Sequence, residues 1–397
     1  MNYSILTQGL PQDVDGVVFD LGSLYLRLLH LADPRHRQGR RYTLAMLVIV
    51  LLLAKLAGQD TPTGIAEWVR LRGALFVDLF QLKRPQMPHA ATYRRLLSLP
   101  TVLVALEREF TAFLLSAPGA GQSDRVTLDG KTLRGVVPLE NGRGRHLLAV
   151  FLPAEGLVLC QVAVDDKSNE IPAAQQALKT LKLQGKIVTA DALHTQRELS
   201  ELVVAAGANY VWTVKDNQPA LCRQIALLFQ PEHCLPGTSP VITDLQTATT
   251  VDKGHGRLET RRLTVSSLLT ESSDWPHLAQ VFRLERTVRR IKTGEQYTDV
   301  VYGVTSLPAA KASPARLLQI VREHWGIETK LHWRRDALFH EDQTRTQSPT
   351  LGQALAAVNN WVIGVACRLG WTNLAQARRF FDAHPDEALK ALISRLA

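Results

Sequence analysis

Val126-Thr127-Leu128-Asp129-Gly130 and, further along the chain, Ile187-Val188-Thr189-Ala190-Asp191 each join a short β-branched run to an aspartate. Runs of this length and composition predict strands. The first ends at Asp129-Gly130, and the second, over 186–189, leads into Asp191. Burial of the apolar side of a strand fixes its backbone, so a carboxylate at its end is held where a metal ion would sit. On neighbouring strands the two aspartates would meet. A lone aspartate at a strand end is more often a turn or capping residue, so the surroundings have to decide.

Outward from these two runs the pattern alternates. Strands are expected over 146–152 and 157–164, joined by Pro153-Ala154-Glu155-Gly156. A helix over 172–183 precedes the 186–189 strand. A helix over 195–206 follows it, with Thr195 as cap and Gly207 as stop. A strand over 209–215 and a helix over 219–229 come next. Three strands, a helix, then strand-helix-strand-helix is the order of an RNase H-like α/β domain, although other α/β folds share parts of it.

From 231 to 307 the chain is β-rich, with alternating runs over 249–252, 258–265, 281–291 and 296–305, the last two flanking Lys292-Thr293-Gly294-Glu295 as a hairpin turn. Helices return from Pro314 through Glu328 and continue over 351–369. Upstream, helical periodicity covers 24–31, 43–56, 65–71, 74–82 and 88–97, with a basic cluster from Arg35 to Arg41. The breaker-rich stretch 116–123 reads as a linker. Four parts follow: a helical, DNA-binding region over 1–121, the first part of an α/β core over 122–230, a β-rich insertion over 231–307, and a helical remainder over 308–397. No internal repeat or low-complexity tract interrupts them.

The 397 residues carry 46 Lys plus Arg against 37 Asp plus Glu, a formal charge of +9 that favours a polyanionic partner, DNA or RNA, over a neutral one. A merely basic soluble protein has the same balance. Cys160, Cys222, Cys234 and Cys367 form no close pair, which argues against a zinc site or a disulfide framework and for a reducing cytoplasm. Met1 to Ile5 has no secretory pattern, and the apolar run 44–54, closed by Lys55, is too short to span a bilayer and reads as a buried helix.

A third carboxylate, Glu328, lies in Arg322-Glu323-His324-Trp325-Gly326-Ile327-Glu328-Thr329-Lys330-Leu331-His332-Trp333, read as helix. Spacings of three and four would put Trp325, Glu328 and Leu331 or His332 on one face, docked on the sheet. Carboxylates are what phosphoryl transfer needs, because hard Mg²⁺ or Mn²⁺ ions take oxygen ligands and keep positions open for water and phosphate. Two such ions about 3.5–4 Å apart activate the attacking oxygen and stabilise the leaving one.

The block from Val126 to Gly135 resembles the first catalytic block of insertion-sequence DDE transposases, in the branch that includes the H-repeat-associated proteins. The similarity continues through Asp166-Lys167-Ser168-Asn169-Glu170-Ile171-Pro172, Val188 to Gln196, Tyr210 to Gln218, Lys253 to Arg261 and His324 to Glu328. Asp33-Pro34-Arg35 and the Pro88 to Leu97 block are similar to the helical region that accompanies this family. The resemblance implies an RNase H-like core and a metal-binding triad of Asp129, Asp191 and Glu328 holding two Mg²⁺ or Mn²⁺ ions. Double-stranded DNA would be the substrate, a homodimer assembled on DNA the working form, and the nucleoid the place of action. The chain departs from the family pattern at Asp216, where glycine is usual, and before the glutamate. The tyrosine and arginine often found there fall near Val321 and His324, with Arg322 as the available substitute. Two other readings stay open: a transposase-derived DNA-binding protein without turnover, and a nuclease that cuts without joining.

Supporting cations are expected around this triad. Lys131 and Arg134 follow Asp129; Lys167 lies in a polar turn with Asn169 and Glu170, which helix capping also explains; Lys215 and Asn217 open a helix, where backbone amides bind phosphate. His255, Arg257 and Arg261 alternate along a strand and would share one DNA-facing side, although His255 also suits a turn. Arg322, Lys330, Arg334 and Arg335 flank Glu328, and Arg94 and Arg95 lie on the basic face of the 88–97 helix. Each is equally a solvated surface charge. Trp275 is read as a packed tryptophan in preference to one that stacks on an extruded base.

Overall fold

The computed structural model describes residues 23–136, 144–165, 168–230 and 244–393, so Lys167, Cys234, the amino terminus and the start of the β-rich region lie outside the described residues. Helices α1 (Leu24–Leu29), α2 (Leu44–Leu56), α3 (Pro62–Leu71), α4 (Gly73–Phe80), α5 (Ala90–Leu97) and α6 (Pro100–Leu115) come first. Strands β1 (Arg125–Leu133), β2 (Arg145–Leu152) and β3 (Leu157–Ala163) follow, then α7 (Glu170–Lys179), β4 (Ile187–Ala190), α8 (Arg197–Ala205), β5 (Asn209–Val214) and α9 (Pro219–Leu228). Four long strands, β6 (Gln246–Gly254), β7 (Arg257–Ser266), β8 (Gln280–Arg290) and β9 (Gln296–Thr305), precede α10 (Pro314–His324), α11 (Trp333–Phe339), α12 (Pro349–Arg368), α13 (Leu374–Ala383) and α14 (Pro385–Ile393).

These elements form two compact units, one built from Met1–Gln122, Lys131–Ala163 and Glu328–Ala397, the other from Ser123–Gly130 and Val164–Ile327. In the first, α2 is apolar on every side and buried along its whole length, which is why its sequence shows no amphipathic stripe. Thr43 caps it by accepting from the Met46 amide. Helix α12 is buried from Leu351 to Ala366, and its Trp361 meets Phe110 and Phe113 of α6 at centroid distances of 5.7 and 6.4 Å. Such aromatic pairs add about 0.5–1.5 kcal/mol beyond the area they bury. Strands β2 and β3 pair antiparallel, with a bulge between Val150 and Phe151.

Charge is also buried here. Lys55, 1% exposed, pairs with Asp60 at 3.2 Å, and Arg378 reaches Asp60 from α13. Glu107 of α6 is held by the side-chain amides of Gln353 and Gln161, at 3.3 and 3.4 Å. Burial pushes its carboxyl up to about 7, only partly opposed by the two amide hydrogen bonds.

In the second unit the strand order is β1-β4-β5-β9-β8-β7-β6. β1, β4 and β5 run parallel, β9 joins β5 antiparallel, and β6 to β9 form an antiparallel meander. The β-rich segment therefore extends the same sheet as the parallel strands. Phe282, Leu284, Leu263 and Val265 cluster with Leu317, Leu318 and Ile320 of α10, which lies across β6 and β7. Gly303 is required by this packing, because a Cβ there would overlap the Phe282 ring and the Trp212 carbonyl.

Some local expectations change. Strand β1 does not end at Asp129 but runs on to Leu133, because its pairing passes from β4 to β2. Thr195 does not cap α8; its hydroxyl donates to the Thr213 carbonyl, and Gln196 is the cap residue. Helix α6 was not anticipated as an element, since Pro100 reads as a breaker although it sits at the first helical position, where its missing N–H costs nothing.

Glu107 yields a test of the first unit. Its folded-state pKa, about 7 against an ordinary 4.5, means the folded state keeps a proton that the unfolded chain releases. Stability is therefore greatest below about pH 4.5 for this group and falls as pH rises towards 7. The Glu107→Gln variant should lose less melting temperature between pH 5 and pH 8 than the natural chain, as followed by circular dichroism.

Candidate functional site

Thr127 of β1 and Thr189 of β4 are register partners, and their buried hydroxyls lie 3.0 Å apart. Side chains two residues apart on a strand share a side. Asp129 is two residues beyond Thr127 on the same strand. Asp191 is two beyond Thr189, with its own backbone still extended at φ −69°, ψ 175°. The two aspartates thus leave neighbouring parallel strands at one level and on one side.

His324, the last residue of α10, sits with them. Its Nδ1 is 3.2 Å from the Thr189 hydroxyl. Burial holds its pKa below the ordinary value for histidine, against the opposing pull of the Asp129 and Asp191 carboxylates.

The chain after Asp191 turns at once through a short 3₁₀ segment, Ala192–His194, that is tied down on several sides. Asn217 Nδ2 donates to the Ala192 carbonyl at 2.6 Å and Gln218 Nε2 to the Thr195 carbonyl at 3.0 Å. The turn brings fully buried His194 back onto Asp191, with Nδ1 2.7 Å from Oδ1, and its Nε2 lies 3.5 Å from Glu170 Oε2. Burial alone would raise the Asp191 pKa, yet the hydrogen bond and charge of His194 hold it below the usual carboxylate range. Oδ2 of Asp191 accepts no side-chain hydrogen bond among the described residues, and the side chain is 53% exposed.

These donors fit a hard divalent cation. The aspartates offer oxygen only, at least one of them reachable from water, and no cysteine stands with them. Both nearby histidines have a ring nitrogen engaged elsewhere, His194 on Asp191 and His324 on Thr189.

Glu328 is the first residue after the second unit ends at Ile327. It is exposed and opens a π-helical segment, Glu328–His332, instead of continuing the α10 helix. One of its carboxylate oxygens and a ring nitrogen of His332 lie within 4.8 Å of one another. The expected common face of Trp325, Glu328 and Leu331 is not formed: Leu331 and His332 are buried, whereas Trp325 is 67% exposed. Ending the α-helix at His324 and widening the next turn breaks the three-and-four spacing on which that reading relied.

The expected DNA contacts divide. Arg94 and Arg95 of α5 are exposed, with Arg94 touching Thr63 Oγ1 at 2.9 Å, and Arg134 is 81% exposed. Lys215 is exposed as well. Lys131 is 9% exposed and paired with Asp336 at 2.7 Å. Lys330 donates to the Pro153 carbonyl at 2.9 Å, and Arg334 to Cys367 Sγ at 3.4 Å. Asn217 spends its amide on the turn after Asp191.

In the meander, His255 is not on a strand; its φ of 49° places it in the β6–β7 turn, so it shares no face with the two arginines. Arg257 and Arg261 do share a side of β7, but with Glu259, which pairs with both. Arg322 meets Asp252 at 3.0 Å. Trp275 is buried, as the packed reading requires.

Arg335 is a correction. It is fully buried, with Nη2 2.8 Å from Glu341 and Nε 2.9 Å from the same carboxylate, so it cannot reach a phosphate. Removing one partner of a buried pair typically costs about 3–5 kcal/mol. Arg335→Ala should therefore lower the unfolding free energy obtained from urea titration by that much, while Arg134→Ala should leave it unchanged within error.

The sequence reading passed over His194. Its signal was its place three residues after Asp191, the reach of one tight turn.

Residues 121–357 match the family model described as "Transposase DDE domain", and residues 26–114 match one described as "DDE_Tnp_1-associated". The H repeat-associated candidate transposase YhhI of Escherichia coli (strain K12) is 28% identical over 269 residues, 64% of this chain and 67% of that protein. The candidate transposase YncI of Escherichia coli O157:H7 is 24% identical over 350 residues, 84% of this chain and 85% of that protein. Among solved structures, a piggyBac transposase synaptic complex with hairpin DNA aligns over 97% of this chain and 80% of that chain, at 13% identity and a TM-score of 0.41.

Proposed function

The chain belongs to the transposase DDE-domain family, and on that premise we propose that it cuts DNA at transposon ends and joins the freed 3′-hydroxyl to target DNA. Asp129, Asp191 and Glu328 would hold two divalent cations, Mg²⁺ or Mn²⁺. The observation that carries this reading is the exit of Asp129 and Asp191 from adjacent parallel strands at one level and on one side, fixed by the Thr127–Thr189 register. When bound, such ions activate an attacking oxygen and stabilise a leaving one.

The protein's own part is placement. Asp191 is held by His194 at one oxygen and leaves the other available. Asp129 is held by the strand on either side of it. Glu328 lies four residues beyond His324, the residue that feels both aspartates, and would complete the set. Hydrolysis of one phosphodiester frees a 3′-hydroxyl, and transesterification by that hydroxyl joins it to the target, so no covalent bond to the protein forms. The parallel order β1-β4-β5 with helices between supports an RNase H-like core, preceded by a helical DNA-binding region over 1–121 and extended by the β-rich segment 231–307. Exposed Arg94 and Arg95 and the +9 charge favour a duplex DNA partner. Joining two ends calls for two copies, hence a homodimer on DNA, acting at the nucleoid. No helix among the described residues is long and apolar enough to cross a membrane.

Asp129→Asn, Asp191→Asn and Glu328→Gln should each reduce cutting of a donor duplex in Mn²⁺ by at least a thousandfold while end binding in gel-shift assays changes less than threefold. Cutting retained by any one variant removes that residue from the triad. Strand joining in the same reaction separates a transposase from a nuclease, and binding with no cutting by the natural chain would indicate a protein without turnover.

A further inference from the structure

We propose that His194 is the positioning residue of the metal site: clamped between Glu170 and Asp191, it sets the orientation in which Asp191 presents its free oxygen. This rests on the reading of Asp191 as a metal-holding carboxylate.

His194 has no exposed surface, so water cannot replace the contacts it makes. One ring nitrogen lies 2.7 Å from Asp191 Oδ1, and the other faces Glu170 Oε2 at 3.5 Å, a close approach without a hydrogen bond. Its backbone position is over-determined. The three-residue turn that carries it is held by Asn217 and Gln218 from the start of α9, and Thr195, the next residue, is tied to the Thr213 carbonyl of β5. Glu170 is anchored separately, as the first residue of α7, where Asn169 caps the helix by accepting from the Ile171 amide at 3.1 Å.

Apart from the ring, the Asp191 carboxylate has the His194 backbone amide as a partner. It lies just past the end of β4, and its side chain is 53% exposed. An aspartate in that position would sample several rotamers, and each ion bound would have to stop that motion. A buried ring on one oxygen removes the freedom beforehand and leaves the second oxygen for a ligand. Partners of this kind, one step removed from the ion, typically change metal affinity by about 10–100-fold when deleted.

The test is Mn²⁺ binding to the full-length chain without DNA, measured by electron paramagnetic resonance of free Mn²⁺, so that it reads affinity and not turnover. His194→Ala should raise the Mn²⁺ Kd by at least tenfold. Asparagine and glutamine then separate positioning from simple packing. The Asn side-chain amide can stand where Nδ1 stands and should keep the Kd within about threefold of the natural chain. The Gln amide reaches the Nε2 position, away from Asp191, and should weaken binding like alanine. Equal affinities for the Asn and Gln variants, or an Ala variant with native circular dichroism and unchanged Kd, would overturn the proposal. Should the alanine variant fail to fold, the Asn and Gln pair decides alone. Asp191→Asn is measured alongside. If it binds Mn²⁺ like the natural chain, the metal role of Asp191 fails and the clamp with it; if only the His194 series is flat, the clamp alone fails.

Discussion

The parallel register between β1 and β4 sets the rest of the second unit. Once Thr127 lies opposite Thr189, the period of two leaves no choice about where Asp129 and Asp191 emerge. A slip of one residue would send one carboxylate to the opposite side of the sheet. The register is protected by what lies around it. Val126, Leu128, Val188 and Ala190 are all buried, so the strands cannot slide without exposing apolar surface. The two threonine hydroxyls meet where no water reaches, with His324 Nδ1 also on Thr189, and a slip would take Thr127 out of that contact.

The first unit solves a different problem with similar means. Its helices come from sequence segments far apart. Arg378 of α13 joins Asp60, which also pairs with Lys55 of α2, while Arg335 and Glu341 form a buried pair within one segment. Such pairs contribute little net stability compared with apolar side chains of the same volume, but a mismatched arrangement leaves a bare charge inside. They therefore select one packing of α2, α11 and α13 over its competitors. This also accounts for cations that composition alone assigns to DNA. Lys55, Arg335 and Arg378 belong to the interior, and Lys131, 9% exposed, is nearly enclosed. Asp60 and Glu341, the acidic partners of the first three, are enclosed with them, so these interior pairs take little from the +9 balance and change only which cations a polyanion can meet.

Much of this was legible in the chain itself. The strands around Asp129 and Asp191, the meander from β6 to β9 and the apolar helix α2 follow from β-branched runs, alternation and an unbroken hydrophobic stretch. What stayed hidden depends on contacts distant in sequence. Glu341 lies only six residues beyond Arg335, but that the pair is sealed inside, while Arg134 is 81% exposed, follows from the packing of distant segments around it. The continuation of β1 past Asp129 depends on a second partner strand, which no local pattern announces. His194 was visible only as a letter in a motif; its role requires knowing that Glu170 closes from the other side. His255 illustrates the limit of alternation as evidence, since a positive φ moves a residue off the strand without altering the spacing.

The π-helical segment at Glu328–His332 has a bearing on how this region tolerates length changes. A π turn holds one residue more than the α turn it replaces, so it behaves as an insertion stored within a helix. Losing a single residue there would let the ordinary helix re-form without breaking the chain's path. Side chains downstream, including buried Arg335 and Phe339, would keep their places, because the surplus residue is absorbed within that one turn. The loss would be felt inside the turn itself, where Glu328 is set relative to buried Leu331 and His332. Related chains one residue shorter in this segment should therefore keep the interior of α11 while changing how the carboxylate at its start is presented.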